Sequence, residues 1–257
     1  MTEYTDHHGP TGLRTRGTIV VVPGRGETRA TYGRLGRRLA ADAYRVRVTD
    51  TPDLDPADLP GSLSALAAAL TAAVGGTAPE GAADAVRPVV LIGADTGALA
   101  LAALLGRPEL LGALRPDGVV LAGLPGETAS RKRGWDDELD VRTSCPAHRG
   151  TLTDDAGVRR GSLDDAVPGA LLDAAYGAEL PLPALLLTGD ADPLADPDTL
   201  RHAAKTWGRT RLAVVRGAHH DVLNDLQHRS VAAETVTFLE TLREDLVPLV
   251  AVESSAW

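Results

Sequence analysis

The chain has 257 residues, a net charge of −9 and an apolar content of 44%, enough for one large α/β domain with a full core. The acidic balance and the lack of a basic run argue against a nucleic-acid partner. A polar opening segment and the absence of eighteen consecutive apolar residues argue against a secretory leader or a membrane span, so the expected location is the cytoplasm. Cys145 stands alone, which excludes an internal disulfide framework.

Residues 1–16 read as a flexible polar tail, with His7 and His8 solvated beside Gly9-Pro10. Thr18–Val22 is the first predicted buried strand, broken by Pro23-Gly24-Arg25-Gly26-Glu27. A helix is predicted over Arg29–Ala41 with Leu35 and Leu39 inward, then a strand over Arg45–Thr49. A Pro- and Asp-rich turn region, Thr51–Gly61, leads to an Ala/Leu helix from about Ser62 to Val74, ended by Gly75-Gly76. The run Val89–Ile92 is apolar and β-branched, as a strand buried on both faces must be, and a helix runs from Gly97 through Leu105. Gly118–Ala122 is the next buried strand.

From Pro125 to Leu182 the pattern changes. No buried strand is predicted there, and charge density rises. This segment reads as a lid inserted in a core made of residues 17–124 and 183–257. The core then resumes with strands Ala184–Thr188 and Leu212–Val215 and helices Thr199–Trp207 and Ser230–Arg243, and the apolar Leu246–Val252 is expected to dock on it. Alternation of strands and helices predicts a mostly parallel sheet flanked by helices.

Open parallel sheets place ligands beyond the carboxyl ends of their strands. The unusual polar groups fall there: Gly24-Arg25-Gly26, Asp95, Asp190 and Asp192, then His219 and His220. Gly93-Ala94-Asp95-Thr96-Gly97 has the form of a nucleophile elbow, a strand-to-helix turn so sharp that only small neighbours fit. The following helix aims its first free N–H groups at the same spot, which favours an anion.

With Pro23–Glu27, the Gly93–Gly97 elbow, Thr188-Gly189-Asp190-Ala191-Asp192 and Gly217–Asn224, the core resembles the α/β-hydrolase superfamily, its loops those of the monoglyceride lipase and lysophospholipase branch. That resemblance implies an α/β-hydrolase fold with Asp95 as nucleophile, His220 as base and Asp192 as its orienting carboxylate. The backbone N–H groups of Arg25 and Thr96 would form the oxyanion hole. An aspartate at the elbow resembles the epoxide hydrolases and dehalogenases, in which the carboxylate displaces at an sp³ carbon and the histidine directs water onto the resulting ester. Epoxide hydrolysis without a cofactor is therefore the expected activity. Ester or lactone hydrolysis, or a non-hydrolytic member of the fold, is the alternative. The partner would be a small-molecule substrate, with a homodimer left open.

Plainer readings stand beside these. Asp95 is also a residue that caps helices, and the Asp190–Asp198 cluster lacks the glycine and closing glutamate of a calcium loop, so no metal is expected. Gly24, Trp135, Arg142 and Tyr176 are candidates to line the substrate pocket, and His148 is a further lid candidate. Arg131-Lys132-Arg133 reads as a solvated face and Cys145 as packing. A dinucleotide-binding domain is the rival from another class: Gly24-x-Gly26 follows a strand and Asp50 ends the next. Arg29 stands where that motif needs its third glycine.

Overall fold

The computed structural model describes residues 4–78, 84–127 and 134–255. Among them, seven strands form one sheet in the order β1-β3-β2-β4-β5-β6-β7. They are β1 (Thr5–His7), β2 (Gly17–Val22), β3 (Tyr44–Val48), β4 (Val89–Ala94), β5 (Gly118–Ala122), β6 (Ala184–Gly189) and β7 (Thr210–Val215). All neighbours are parallel except β1, which runs antiparallel to β3. The helices are α1 (Gly33–Ala41), α2 (Leu59–Gly75), α3 (Asp95–Leu105), α4 (Trp135–Arg142), α5 (Pro146–Asp154), α6 (Gly169–Tyr176), α7 (Pro197–Thr206) and α8 (His228–Arg243).

The central strands are apolar throughout because both faces are covered. Alternate residues of each strand enter opposite layers. Val20, Val22, Leu91, Val119, Leu121 and Leu186 pack with α2, α3, α6 and α7. Ile19, Val21, Val90, Ile92, Val120 and Leu185 pack with α1 and α8 on the other face. Helix α3 is buried along its whole length, which explains why it is apolar on every side. Helix α2 and the short turn before it, Pro56–Gly75, are long and apolar enough by composition to cross a membrane. Leu63, Leu66 and Leu70 of this helix are nonetheless buried in the core.

The parallel sheet matches expectation, and several boundaries move. Residues 5–7 form an edge strand instead of lying loose, because Asp6 accepts from Arg47 Nε at 2.7 Å and Nη2 at 2.8 Å, and Tyr4 lies 4.6 Å beneath the same guanidinium. Arg29–Tyr32 is a 3-10 turn, capped by Thr28, that precedes α1. Helix α2 starts at Leu59 because the Asp58 carboxylate accepts from the Gly61 N–H at 3.0 Å. Leu246–Val252 does not dock: Val247, Leu249, Val250 and Val252 are exposed. Within the predicted lid, α6 packs on α3 and buries Leu171, Leu172 and Ala175 in the main core. Arg131-Lys132-Arg133 lies outside the described residues.

The elbow is as tight as its glycines suggest. Asp95 has φ +46°, the left-handed region that non-glycine residues rarely occupy. A Cβ on Gly97 would lie 2.4 Å from the Pro23 carbonyl oxygen and 2.7 Å from that of Val22. Both are backbone atoms and cannot swing aside. Gly97→Ala should therefore destabilise the fold by about 1–3 kcal/mol, read as a lowered urea midpoint with unchanged slope. An unchanged midpoint would show that β2 and α3 can part without cost.

Candidate active site

Four loops meet at the carboxyl edge of the sheet. The loop after β2 brings Arg25, the end of β4 brings Asp95, the loop after β6 brings Asp192 and the loop after β7 brings His220. His220 Nδ1 lies 2.9 Å from Asp192 Oδ2, and its Nε2 lies 3.3 Å from Asp95 Oδ1. Asp192 is steadied from the other side by the Leu194 N–H, which donates to Oδ1 at 2.8 Å. The ring of His219 turns away to Asp225, with Nδ1 3.0 Å from Oδ2.

Arg25 adds a feature that the sequence alone does not reveal. Its side chain grips the Asp95 carboxylate with two parallel bonds, Nε to Oδ2 and Nη2 to Oδ1, each 2.8 Å. Its backbone N–H donates to the same Oδ2, also at 2.8 Å. The oxyanion-type N–H of Arg25 is thus occupied by Asp95 itself in this conformation. Thr96 is buried beside it on the wall of the neighbouring cavity. Gly24 belongs to the site by closeness: a Cβ there would lie 2.6 Å from Asp95 Cβ.

These contacts set the charges. Burial alone would raise the pKa of Asp95, but the Arg25 guanidinium and the His220 ring hold its carboxyl well below the usual range. Burial alone would lower that of His220, but the carboxylates of Asp192 and Asp95 outweigh it and push the ring up to about 10. Held low and high in this way, Asp95 keeps its charge and His220 its proton at neutral pH, in a row that runs from Arg25 to Asp192. Such a row can deliver a proton from His220 and a lone pair from Asp95; it cannot use His220 as a base until one neighbouring charge is lost.

A second buried network braces the site and was not foreseen. Arg142 donates to Glu138 Oε1 from Nε at 3.0 Å and from Nη2 at 2.9 Å. Its Nη2 also reaches Ser162 Oγ at 2.8 Å and the Arg25 carbonyl at 2.9 Å. Beyond it, His148 Nε2 lies 2.8 Å from Asp221 Oδ2. Glu27 accepts from the Gly24 N–H at 2.8 Å and from the Tyr32 hydroxyl. Burial, with Asp221 nearby, pushes Glu27 up to about 7. Glu27, His148 and Asp221 have donor atoms within 4.8 Å of one another, the spacing of a metal group. Yet Asp221 also lies 3.4 Å from the Arg142 guanidinium, which opposes a cation there.

The other residues expected to line the pocket are not in the wall of the cavity beside Arg25. Trp135 packs on Leu139, Leu152 and Val158, and its indole N–H donates to Thr153 Oγ1 at 3.2 Å. Tyr176 donates to the Pro125 carbonyl at 2.9 Å. Arg142 is buried in the brace just described. All three are amphipathic side chains in a polar segment, a pattern that pocket lining and lid packing share. A cavity of about 420 Å³ opens instead between the Arg25 loop, Thr51, Thr96, Arg159 and Leu171.

The fold and the elbow define an α/β-hydrolase-fold protein. A monoacylglycerol lipase from Paleococcus ferrophilus is similar over 94% of this chain and 99% of its own, at 18% identity and a TM-score of 0.67. A soluble variant of the monoglyceride lipase of Saccharomyces cerevisiae is similar over 93% and 91%, at 14% identity and a TM-score of 0.71. An esterase from Rhodococcus sp. ECU1013 is similar over 94% and 96%, at 19% identity and a TM-score of 0.62. No family model matches the sequence, and no curated protein does.

Proposed function

We propose that the chain hydrolyses carboxylic esters or lactones with Asp95, His220 and Asp192, without a cofactor. The observation that carries this reading is the connected row at the sheet edge, with contacts of 3.3 Å and 2.9 Å through one histidine. The names of the neighbours, two lipases and an esterase, favour esters over the epoxides that the aspartate suggests. Asp95 attacks the acyl carbon, and the oxyanion gathers at the N–H groups of Arg25 and Thr96 once Asp95 has released the former. The His220 proton passes from Nε2 to the departing alkoxide. Asp95 then carries a mixed anhydride and no charge, so His220, now neutral, directs water onto the anhydride and regains its proton as the acid leaves. A carboxylate is a far weaker base than an alkoxide and a modest nucleophile. It expels only weakly basic leaving groups, so aryl esters and strained lactones are the expected substrates.

A second reading, attack on an epoxide carbon, is favoured by the carboxylate at the elbow. There the opened oxygen takes the His220 proton, and the product is a stable alkyl ester on Asp95. Hydroxylamine separates the two: it captures an anhydride as a hydroxamate, whereas wild-type protein quenched in acid during turnover of an epoxide would carry an Asp95 peptide heavier by the mass of that epoxide. The deciding experiment assays aryl esters, lactones and epoxides with the wild type and Asp95→Asn. Ester turnover that falls roughly 10³-fold in the variant supports the reading. Equal turnover in the variant, or none on any ester or lactone, overturns it.

A further inference from the structure

Asp95 and His220 do not line the cavity beside the Arg25 loop. They face a void of about 10 Å³, room for a single water, while Arg25 and Thr96 line the cavity of about 420 Å³. A substrate in that cavity therefore meets the Arg25 guanidinium before it meets Asp95. The side chain of Arg25 is 11% exposed, and its remaining fork nitrogen, Nη1, donates to the carbonyl of Asp165 at 2.6 Å. It thus ties the elbow to the loop at Asp165, and its fork covers both carboxylate oxygens of Asp95.

We propose that Arg25 binds a carboxylate carried by the substrate, and that Asp95 occupies this anion position in the resting protein. The proposal rests on the ester-hydrolase reading for its reaction and on the Arg25 geometry for its substrate class. The fork is already seated on a planar carboxylate with two parallel 2.8 Å bonds, an arrangement a second carboxylate can take over, with His220 left as the cation beside Asp95. A neutral substrate has nothing to offer in exchange, since moving a buried guanidinium off its partner leaves both charges unpaired. A second cation, Arg159, stands on the same wall, paired through Nη1 with Asp165 Oδ2 at 2.6 Å. The substrate class is an ester or lactone with a free carboxylate at its acyl end, such as a half-ester of a dicarboxylic acid. Exchange of carboxylates at Arg25 then does two things together: it holds the substrate and frees the Asp95 oxygens and the Arg25 N–H.

The test compares the 4-nitrophenyl half-ester of adipic acid with its neutral methyl 4-nitrophenyl diester, and measures binding of adipate and of adipamide by calorimetry. The expected kcat/KM ratio of half-ester to diester is ~10², falling to within about threefold in Arg25→Gln. Arg25→Lys, which keeps the charge and loses the fork, should fall between. Adipate should bind the wild type at least about tenfold more tightly than Arg25→Gln, and adipamide should bind neither. Asp95→Asn removes the internal competitor and should tighten adipate binding about tenfold or more while lowering ester turnover roughly 10³-fold; adipate bound anywhere but on the Arg25 fork would show no such gain. Equal turnover of the two esters, or adipate affinity that neither Arg25→Gln nor Asp95→Asn alters, overturns the proposal. Arg25-dependent adipate binding with no ester turnover would uphold the anion site and sink the hydrolase reading instead.

Discussion

Asp192→Asn should lower turnover of an aryl ester roughly 10³–10⁴-fold, with KM changed only a few-fold. The carboxylate accepts from His220 Nδ1 at 2.9 Å, and its other oxygen is fixed by the Leu194 N–H. An asparagine there can turn its NH₂ toward the ring, which makes Nδ1 the acceptor and moves the single proton of a neutral imidazole to the wrong nitrogen. The geometry survives and the tautomer does not. Near-normal turnover in this variant would remove Asp192 from the chemistry and leave it as a brace for the loop after β6.

The same pair sets a pH dependence. His220 is held at about 10, above its ordinary value near 6.5, by Asp192 and Asp95 against the opposing effect of burial. In that interval the folded protein binds a proton that the unfolded chain has released. The stability this proton supplies is therefore complete below about pH 6.5 and is lost progressively as pH rises to about 10. Denaturation at a series of pH values should show falling stability over this window in the wild type, and a flatter profile in Asp192→Asn. A wild-type profile that rises from pH 7 to 10 would contradict the charge row.

How much of this could be read beforehand depends on what kind of contact is involved. The sheet was legible because burial on both faces forces runs such as Val89–Ile92 to be apolar and β-branched. The elbow was legible because only small residues allow β2 and α3 to approach as they do at Gly97. Asp192 and His220 could be placed on strand-end loops from their order, since a parallel sheet brings all such loops to one edge. The grip of Arg25 on Asp95 joins residues 70 positions apart and leaves no periodic trace. Expecting only its backbone N–H missed the side chain that covers the carboxylate. The edge strand at residues 5–7 was hidden for a related reason: its one-sided pairing with β3 is held by Asp6 and Tyr4 acting on Arg47, not by an apolar pattern. Which way Trp135 and Tyr176 face could not be read, because the composition of residues 125–182 does not say which side chains pack inward and which line a cavity.

Arg142→Ala should destabilise the protein by about 3–5 kcal/mol, the range for removing one partner of a buried ion pair. The residue is 1% exposed, and Glu138, its partner four positions back, is fully buried. Removing the guanidinium leaves that carboxylate with only the Gly161 N–H and Ser162 Oγ, and leaves Asp221 with His148. It also frees the Arg25 carbonyl and Ser162 Oγ from the nitrogen they share. Burial pushes Asp221 up, while Arg142 and then His148 bring it below the usual range. Without Arg142 its folded pKa should rise, because burial is then opposed only by His148 and His220, so protonation in acid relieves part of a penalty that persists at higher pH. The defect should accordingly be smaller at pH 5 than at pH 8, which urea denaturation at the two values would measure. Because the brace holds the backbone on which the Arg25 grip is built, ester turnover should fall along with stability. Arg142→Met, which fills the space but gives the two carboxylates no guanidinium, should recover little of either. Full recovery in Arg142→Met would mean that volume, and not charge, is what this position supplies.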